Sequence, residues 1–352
     1  MNLNDTKRFK ELDSEDMIGH INDLPNQLLK AWELGGKLDL PKWNGIERVV
    51  IAGMGGSAIA ADLLEVYAAP LSKVPIVVHR DYDLPAWATG ENTLVICSSH
   101  SGNTEETISA YEAAKAKGCR ILALTTGGEL AKATSNSEDA LWQFTYKSQP
   151  RAAIHHSFGL LLAAFTRLGF LPNPEEELKD AVAAMQEQQK TLLPEIKDTQ
   201  NSAKRMAGQF MERWITIFGA GILAPVARRW KTQINEIAKA NANFEFLPEA
   251  DHNTLEAVSQ PEKEFAHTMA IFLQTAINHP RNQLRSELTR MAMMVQGVNT
   301  DFITAQGDTP LANIWTTLHY GDYAAYYLAM AYGLDPSPVP MIEEFKGKMA
   351  AG

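Results

Sequence analysis

The chain has 352 residues, 45% of them hydrophobic and 21% charged, with a formal net charge of −10. That composition is globular, and the length suffices for two or so domains with sizeable cores. An acidic balance without a Lys/Arg run argues against nucleic acid or an anionic membrane as the main partner, although a pocket in such a protein can be locally positive around an anionic substrate.

The N-terminal stretch MNLNDTKRFKELDSED is charged and has no apolar h-region, so it does not read as a signal peptide. Strand-like runs follow at 48–52, 76–79, 94–97 and 121–124, with helical stretches at 57–67, 104–117 and 152–168. Alternation of this kind predicts βαβ units and a parallel, doubly wound α/β sheet. Residues 171–209 are polar, carry Pro172, Pro174 and Pro194, and read as a helical connection. The second half then restarts with strands at 214–218, 244–247, 269–272 and 300–304. Its helices are expected at 223–240, 282–296, 313–332 and 340–349. The expected organisation is two subdomains of repeated architecture. The first spans 1–170, with leading helices, and the second 213–352, joined through a helical connection at 171–212. The longest apolar runs, 158–168 and 323–334, fall well short of the ~20 residues that span a bilayer. Cys97 and Cys119 lie in or beside predicted strands, too few for a disulfide framework or a cysteine zinc site. A soluble cytoplasmic protein is expected.

Two segments carry chemistry. Val49–Ala61, VVIAGMGGSAIAA, runs from a strand through Gly53-Met54-Gly55-Gly56-Ser57 into an Ala-rich helix. A dinucleotide fingerprint would need glycine at Ala58, and no Gly-Lys-Ser/Thr follows to make a P-loop. Leu94–Thr107, LVICSSHSGNTEET, repeats the design with Ser98, Ser99, Ser101, Gly102, Asn103 and Thr104. Unpaired N–H groups and the positive dipole end at a helix start favour an anion, and small hydroxyl residues add donors without bulk. Glu105 and Glu106 weigh the other way, toward a solvated turn whose serines cap a helix, and both readings stand on the local pattern. The two units lie about forty residues apart, which suggests neighbouring strands whose C-terminal ends share one crevice, where open α/β sheets bind ligands.

The stretch Ser99-His100-Ser101-Gly102-Asn103-Thr104 resembles the Ser-x-Ser-Gly-x-Thr sugar-phosphate loop of the sugar isomerase (SIS) domain family. Gly56-Ser57, Pro150-Arg151-Ala152-Ala153, Asn235-Glu236-Ile237-Ala238-Lys239, Leu247-Pro248-Glu249-Ala250-Asp251-His252-Asn253 and Lys346 extend the likeness over nearly the whole chain. As a set they resemble the bifunctional phosphoglucose/phosphomannose isomerase family. The resemblance implies aldose–ketose isomerisation of glucose 6-phosphate, and of mannose 6-phosphate, with fructose 6-phosphate. It implies Glu236 as base, His252 as ring-opening residue, Arg151 as enediolate stabiliser and Lys346 as a ring-opening or positioning group. It further implies a phosphate held at Gly56, Ser57, Ser99, Ser101 and Thr104, no cofactor or metal, and a homodimer whose histidine reaches the neighbouring site.

The chemistry agrees with those roles. Ring opening needs a proton shuttle active near neutrality, the transfer between C2 and C1 needs one base, and an enediolate needs fixed positive charge. His155-His156, the only close histidine pair, would point about 100° apart on a helix, poor geometry for a metal. Periodicity by itself places Glu236 opposite the apolar stripe Leu223, Val226, Ala227, Trp230, Ile234, Ile237 and Ala238, where a glutamate is ordinarily solvated. His252 in a polar turn and Lys346 beside Lys348 would ordinarily be surface residues. Arg151 at a helix start opposes the dipole, a residue set against its local preference. Val339 stands where the family often has a threonine, which makes the mannose substrate the less secure one. A sugar-phosphate sensor without catalysis and an isomerase or lyase of an amino-sugar phosphate are the alternatives.

Overall fold

The computed structural model describes residues 2–351. Two helices, α1 (Thr6–Leu12) and α2 (Met17–Gly35), precede the first sheet. That sheet is parallel throughout and has the order β2-β1-β3-β4-β5: β1 Arg48–Ala52, β2 Ile76–His79, β3 Thr93–Ser99, β4 Arg120–Thr125 and β5 Ala140–Gln143. Helices α3 (Gly55–Ala68), α4 (Glu105–Ala116) and α5 (Gly128–Ser135) connect its strands, and α6 (Ile154–Arg167) follows. The strand order reverses between β1 and β3, so the loops leaving those two strands diverge and open a crevice. β3 is buried along its whole length, as a central parallel strand covered on both faces must be.

The second sheet is also parallel, with the order β7-β6-β8-β9: β6 Trp214–Ala220, β7 Ala242–Leu247, β8 Thr268–Gln274 and β9 Asn299–Thr304. Its helices are α9 (Ala224–Ile237) and α10 (Pro280–Val295). Proline at the first turn and a capping neighbour start α10, where the His279 ring nitrogen accepts from Arg281 N–H at 3.1 Å. The helices α7 (Glu175–Gln189) and α8 (Ser202–Phe210) lie in the predicted helical connection.

Helix α11 (Pro310–Tyr332) is buried from Leu311 through Ala331 and packs on α7, α8, α9 and α2. A helix apolar all round belongs in a core. One continuous core therefore runs from Phe9 to Met330 through both halves. No helix among the described residues is long and apolar enough to cross a membrane. Helix α12 (Pro340–Ala351) closes the chain.

The structure departs from the sequence reading in three places. β5 and α5 were not expected: the first is a four-residue edge strand and the second only eight residues, both too short for a periodic signal. Helix α6 starts at Ile154 rather than 152, because Pro150–Ala152 forms a separate 3₁₀ turn. The second sheet has no counterpart of β5 among the described residues, leaving β9 an open edge.

Candidate active site

The loop after β1 meets the 3₁₀ turn Pro150–Ala152. Gly56 is required at that junction, since a Cβ there would stand 2.8 Å from the Pro150 carbonyl oxygen. Ser57, buried, and Arg151 are thereby brought together. In the second loop the Ser99 and Thr104 hydroxyls bond each other at 2.9 Å, and Gly102 N–H donates to Ser99 Oγ at 3.1 Å. Asn103 N–H donates to Ser101 Oγ at 3.2 Å. Gly102 has φ +70°, and a Cβ there would overlap the Gly127 carbonyl, so the loop lies tight against the β4–α5 connection. Thr104 holds the N-cap position of α4 and Met54 that of α3, and neither makes a side-chain capping bond. Two helix N-termini thus present free N–H groups beside four hydroxyls, a donor set suited to a phosphate.

Arg151 is 4% exposed. Its Nη2 donates to the Pro336 carbonyl at 2.9 Å and to that of Ser337, while Nη1 lies 3.7 Å from Glu236 Oε2. Its Nε is buried without a hydrogen-bond partner. Burial pushes the guanidinium pKa down and the Glu236 carboxylate opposes that, so Arg151 stays charged. Glu236 occupies the last turn of α9, opposite the stripe of Val226, Ala227, Trp230, Ile234 and Ile237, all buried. The face that carries it is not solvated: Gln233 and Arg229, one and two turns earlier, are each 1% exposed. Arg229 is paired with Asp322 of α11 at 2.9 Å and donates to the Arg151 carbonyl oxygen at 2.8 Å. Neither Arg229 nor Asp322 was singled out from the sequence, yet Arg229, Gln233 and Glu236 form a polar stripe at i, i+4 and i+7 that is readable there. Lys239 also joins the site. It has φ +52°; the residue is exposed, and its ammonium donates to the carbonyls of Ile237, at 3.0 Å, and Asp335. Burial first, and then Arg151, draw its pKa down to about 8.

Two expected residues lie apart from this cluster within one chain. His252 ends the exposed 3₁₀ turn Glu249–His252, beyond the C-terminal end of β7, whereas Glu236 lies near its start. Six residues of β7 separate the two levels, on the order of 20 Å at strand rise. Asp251 anchors the turn to α10 through Arg285 at 2.8 Å and Thr289 at 2.6 Å. Lys346 lies exposed on α12. The root of that helix is tied to the site through Arg151 and Lys239, and the Val339 carbonyl accepts from Ile342 N–H at 3.0 Å as α12 begins.

Two parallel sheets with a hydroxyl-lined crevice at the first switch point define a SIS-type fold. Sequence comparison agrees, matching the SIS domain over residues 44–140 and the bacterial phospho-glucose isomerase C-terminal SIS domain over 199–349. The chain is 37% identical over 338 residues to a bifunctional phosphoglucose/phosphomannose isomerase of Caldicellulosiruptor bescii, covering 95% of this chain and 99% of that one. A protein of the same description from Aquifex aeolicus is 32% identical, over 90% of this chain and 94% of its own. Among solved structures, the C-terminal domain of glucosamine-fructose-6-phosphate aminotransferase from Francisella tularensis superposes with a TM-score of 0.72 at 14% identity, covering 92% of this chain and 97% of that one. The chain belongs to the bifunctional phosphoglucose/phosphomannose isomerase family.

Proposed function

We infer that the protein is a metal-independent aldose–ketose isomerase that interconverts glucose 6-phosphate, and mannose 6-phosphate, with fructose 6-phosphate. The observation that carries this reading is the buried Arg151 guanidinium 3.7 Å from the Glu236 carboxylate, with Gly56 of the first loop packed against the Arg151 backbone. Ser57, Ser99, Ser101 and Thr104 hold the phosphate, with Gly56 admitting it close to the backbone. The Glu236 carboxylate takes the proton from C2 of the open aldose, leaving a cis-enediolate. Arg151 faces the enediolate oxygens with charge that does not titrate in the working range. The same carboxylate returns the proton to C1 as the carbonyl forms at C2, and the O2 proton passes to O1.

Ring opening moves a proton from the anomeric hydroxyl to the ring oxygen, a task for an imidazole. Within a chain His252 stands about a strand length from Glu236, so in this reading it serves the site of a second copy and the working unit is a homodimer. Lys346, on the helix rooted at the Arg151 contact, positions the open sugar. The site of action is the cytoplasm. Purified protein given fructose 6-phosphate in the presence of EDTA is expected to form glucose 6-phosphate. No turnover by a folded sample that still binds the sugar phosphate would sink the reading and assign the loop to sensing, and Glu236→Gln is expected to lose turnover while still binding. Val339 lacks a hydroxyl to meet a sugar, so mannose 6-phosphate is expected to be the slower aldose.

A further inference from the structure

The serine loop does not hold its shape alone. Four hydrogen bonds tie residues 99–104 to the connection between β4 and α5. Thr126 donates twice to the His100 carbonyl oxygen, from its N–H at 3.1 Å and from its hydroxyl at 2.7 Å. The start of α5 supplies the other two. Leu130 N–H donates to the Gly102 carbonyl oxygen at 2.9 Å, and Glu129 N–H to Asn103 Oδ1 at 3.0 Å. N–H groups at a helix start have no intrahelical acceptor, and here the loop satisfies them. The two segments also meet as backbones. A Cβ on Gly128, which has φ +71°, would stand 2.4 Å from the Ser101 carbonyl oxygen and 2.6 Å from Asn103 Oδ1, so only glycine permits the approach. The connection is itself braced by buried Thr125, whose hydroxyl donates to the Gly127 carbonyl oxygen at 2.9 Å and accepts from Gly127 N–H at 3.2 Å.

We propose that Thr126, Gly128 and Asn103 are positioning residues, which pre-organise the serine loop for the phosphate by clamping it to the start of α5. The inference rests on the reading that this loop grips the phosphate. Its physical basis is the trans peptide, whose N–H points opposite to its C=O. Fixing the His100 and Gly102 carbonyls on the connection therefore turns the Ser101 and Asn103 N–H groups to the other side. Asn103 N–H then meets Ser101 Oγ, while Gly102 N–H meets Ser99 Oγ, which is bonded in turn to the Thr104 hydroxyl. One continuous set of bonds thus runs from the clamp to three of the four hydroxyls of the donor set. A loop of small residues turning through a glycine has wide freedom when untethered, and ordering it at the moment of binding would cost affinity. Thr126 and Gly128 act through the loop, so their effect falls on binding.

The test compares Thr126→Val, Thr126→Ser and Gly128→Ala with the unmodified protein. The readouts are kcat and KM for fructose 6-phosphate, the dissociation constant of inorganic phosphate by calorimetry, and the melting temperature. Thr126→Val deletes one of the four bonds at nearly constant shape. It is expected to raise KM and the phosphate dissociation constant by roughly 2–10-fold with kcat little changed. Thr126→Ser keeps the hydroxyl and is expected to return both to within about twofold of the unmodified protein. Gly128→Ala displaces the loop and is expected to weaken phosphate binding by about tenfold or more. A lower melting temperature with KM and phosphate binding unchanged would make the connection a brace for stability alone and overturn the proposal. A loss confined to kcat, or a serine variant as weak as the valine one, would overturn it too. If Gly128→Ala fails to fold, the valine and serine pair decides. A protein that binds phosphate without turning over fructose 6-phosphate counts against the isomerase, and its phosphate constants still decide the clamp.

Discussion

Glu236 and His252 stand at opposite ends of β7, the first where α9 leads into the strand and the second in the turn that follows it. If both serve one reaction, each site draws on two chains. Glu236→Gln and His252→Ala, each inactive in its own homodimer, are then expected to complement after mixing through mild dissociation. Every mixed dimer holds one intact site and one doubly altered site. Turnover that does not rise on mixing would place the histidine in the same site as its own glutamate, or outside the chemistry.

Glu236→Gln removes the proposed base while keeping shape and hydrogen bonding. Loss of a positioned general base lowers turnover by about 10²–10⁴-fold. Because the carboxylate acts in the transition state, kcat is expected to fall with KM little changed. A large rise in KM at constant kcat would make Glu236 a binding residue.

Thr104→Val deletes one hydroxyl of the loop, together with its 2.9 Å bond to Ser99. A lost partner for a charged group costs about 1–3 kcal/mol. A phosphate held at this loop would be gripped equally in substrate and transition state, so KM is expected to rise more than kcat falls. Binding is also expected to weaken as the pH falls through the second phosphate pKa of about 6. An unchanged KM would move the phosphate elsewhere.

Lys239 faces Arg151, Glu236 and Asp335, and its pKa is drawn down to about 8. Its proton is held below that pH and lost above it, weakening the grip on the Ile237 and Asp335 carbonyls that fixes the root of α12. An alkaline fall in kcat/KM near pH 8 is expected, and Lys239→Arg, which does not titrate there, is expected to shift that fall upward. A profile identical in the two proteins would separate Lys239 from turnover.

His155, His156 and His319 are buried, and burial is the first cause lowering each pKa, to about 4 for His156 and His319. The folded chain keeps them neutral while the unfolded chain takes up protons below the ordinary value of 6.5. Stability is therefore whole above pH 6.5 and is lost progressively toward pH 4. His156 and His319 each contribute up to about 3 kcal/mol to that loss. His319 Nε2 lies 2.8 Å from the Ile21 carbonyl oxygen. His319→Gln can keep that bond without titrating, and its melting temperature is expected to fall less between pH 7 and pH 5 than that of the unmodified protein. Parallel falls would exonerate this histidine.

The central strands β1, β3, β4 and β8 were legible because each is a short, largely apolar run between turn residues, a pattern that follows from burial on both faces. β5 and α5 were not, being short and weakly patterned, although α5 supplies the wall against which Gly102 packs. At the site, the serine loop was legible because its hydroxyls and Gly102 are consecutive. Glu236 looked solvated, since helical periodicity reports only which face meets the chain's own core; the Arg229–Asp322 pair and Arg151, from α11 and the 3₁₀ turn, bury the rest of that face.

What the sequence determined by itself was local and consecutive: the strand and helix periods, the hydroxyl loop at a helix start, and the residues of the family pattern in order. These rest on interactions between near neighbours, where spacing stands in for geometry. The tertiary structure decided what lies between distant segments. It set Arg151 against Glu236, clasped Arg151 and Lys239 to the Asp335–Ser337 turn, and put His252 a strand length from the Glu236 of its own chain. Such relationships depend on how two sheets and the buried α11 pack together, and no interval along the chain encodes them.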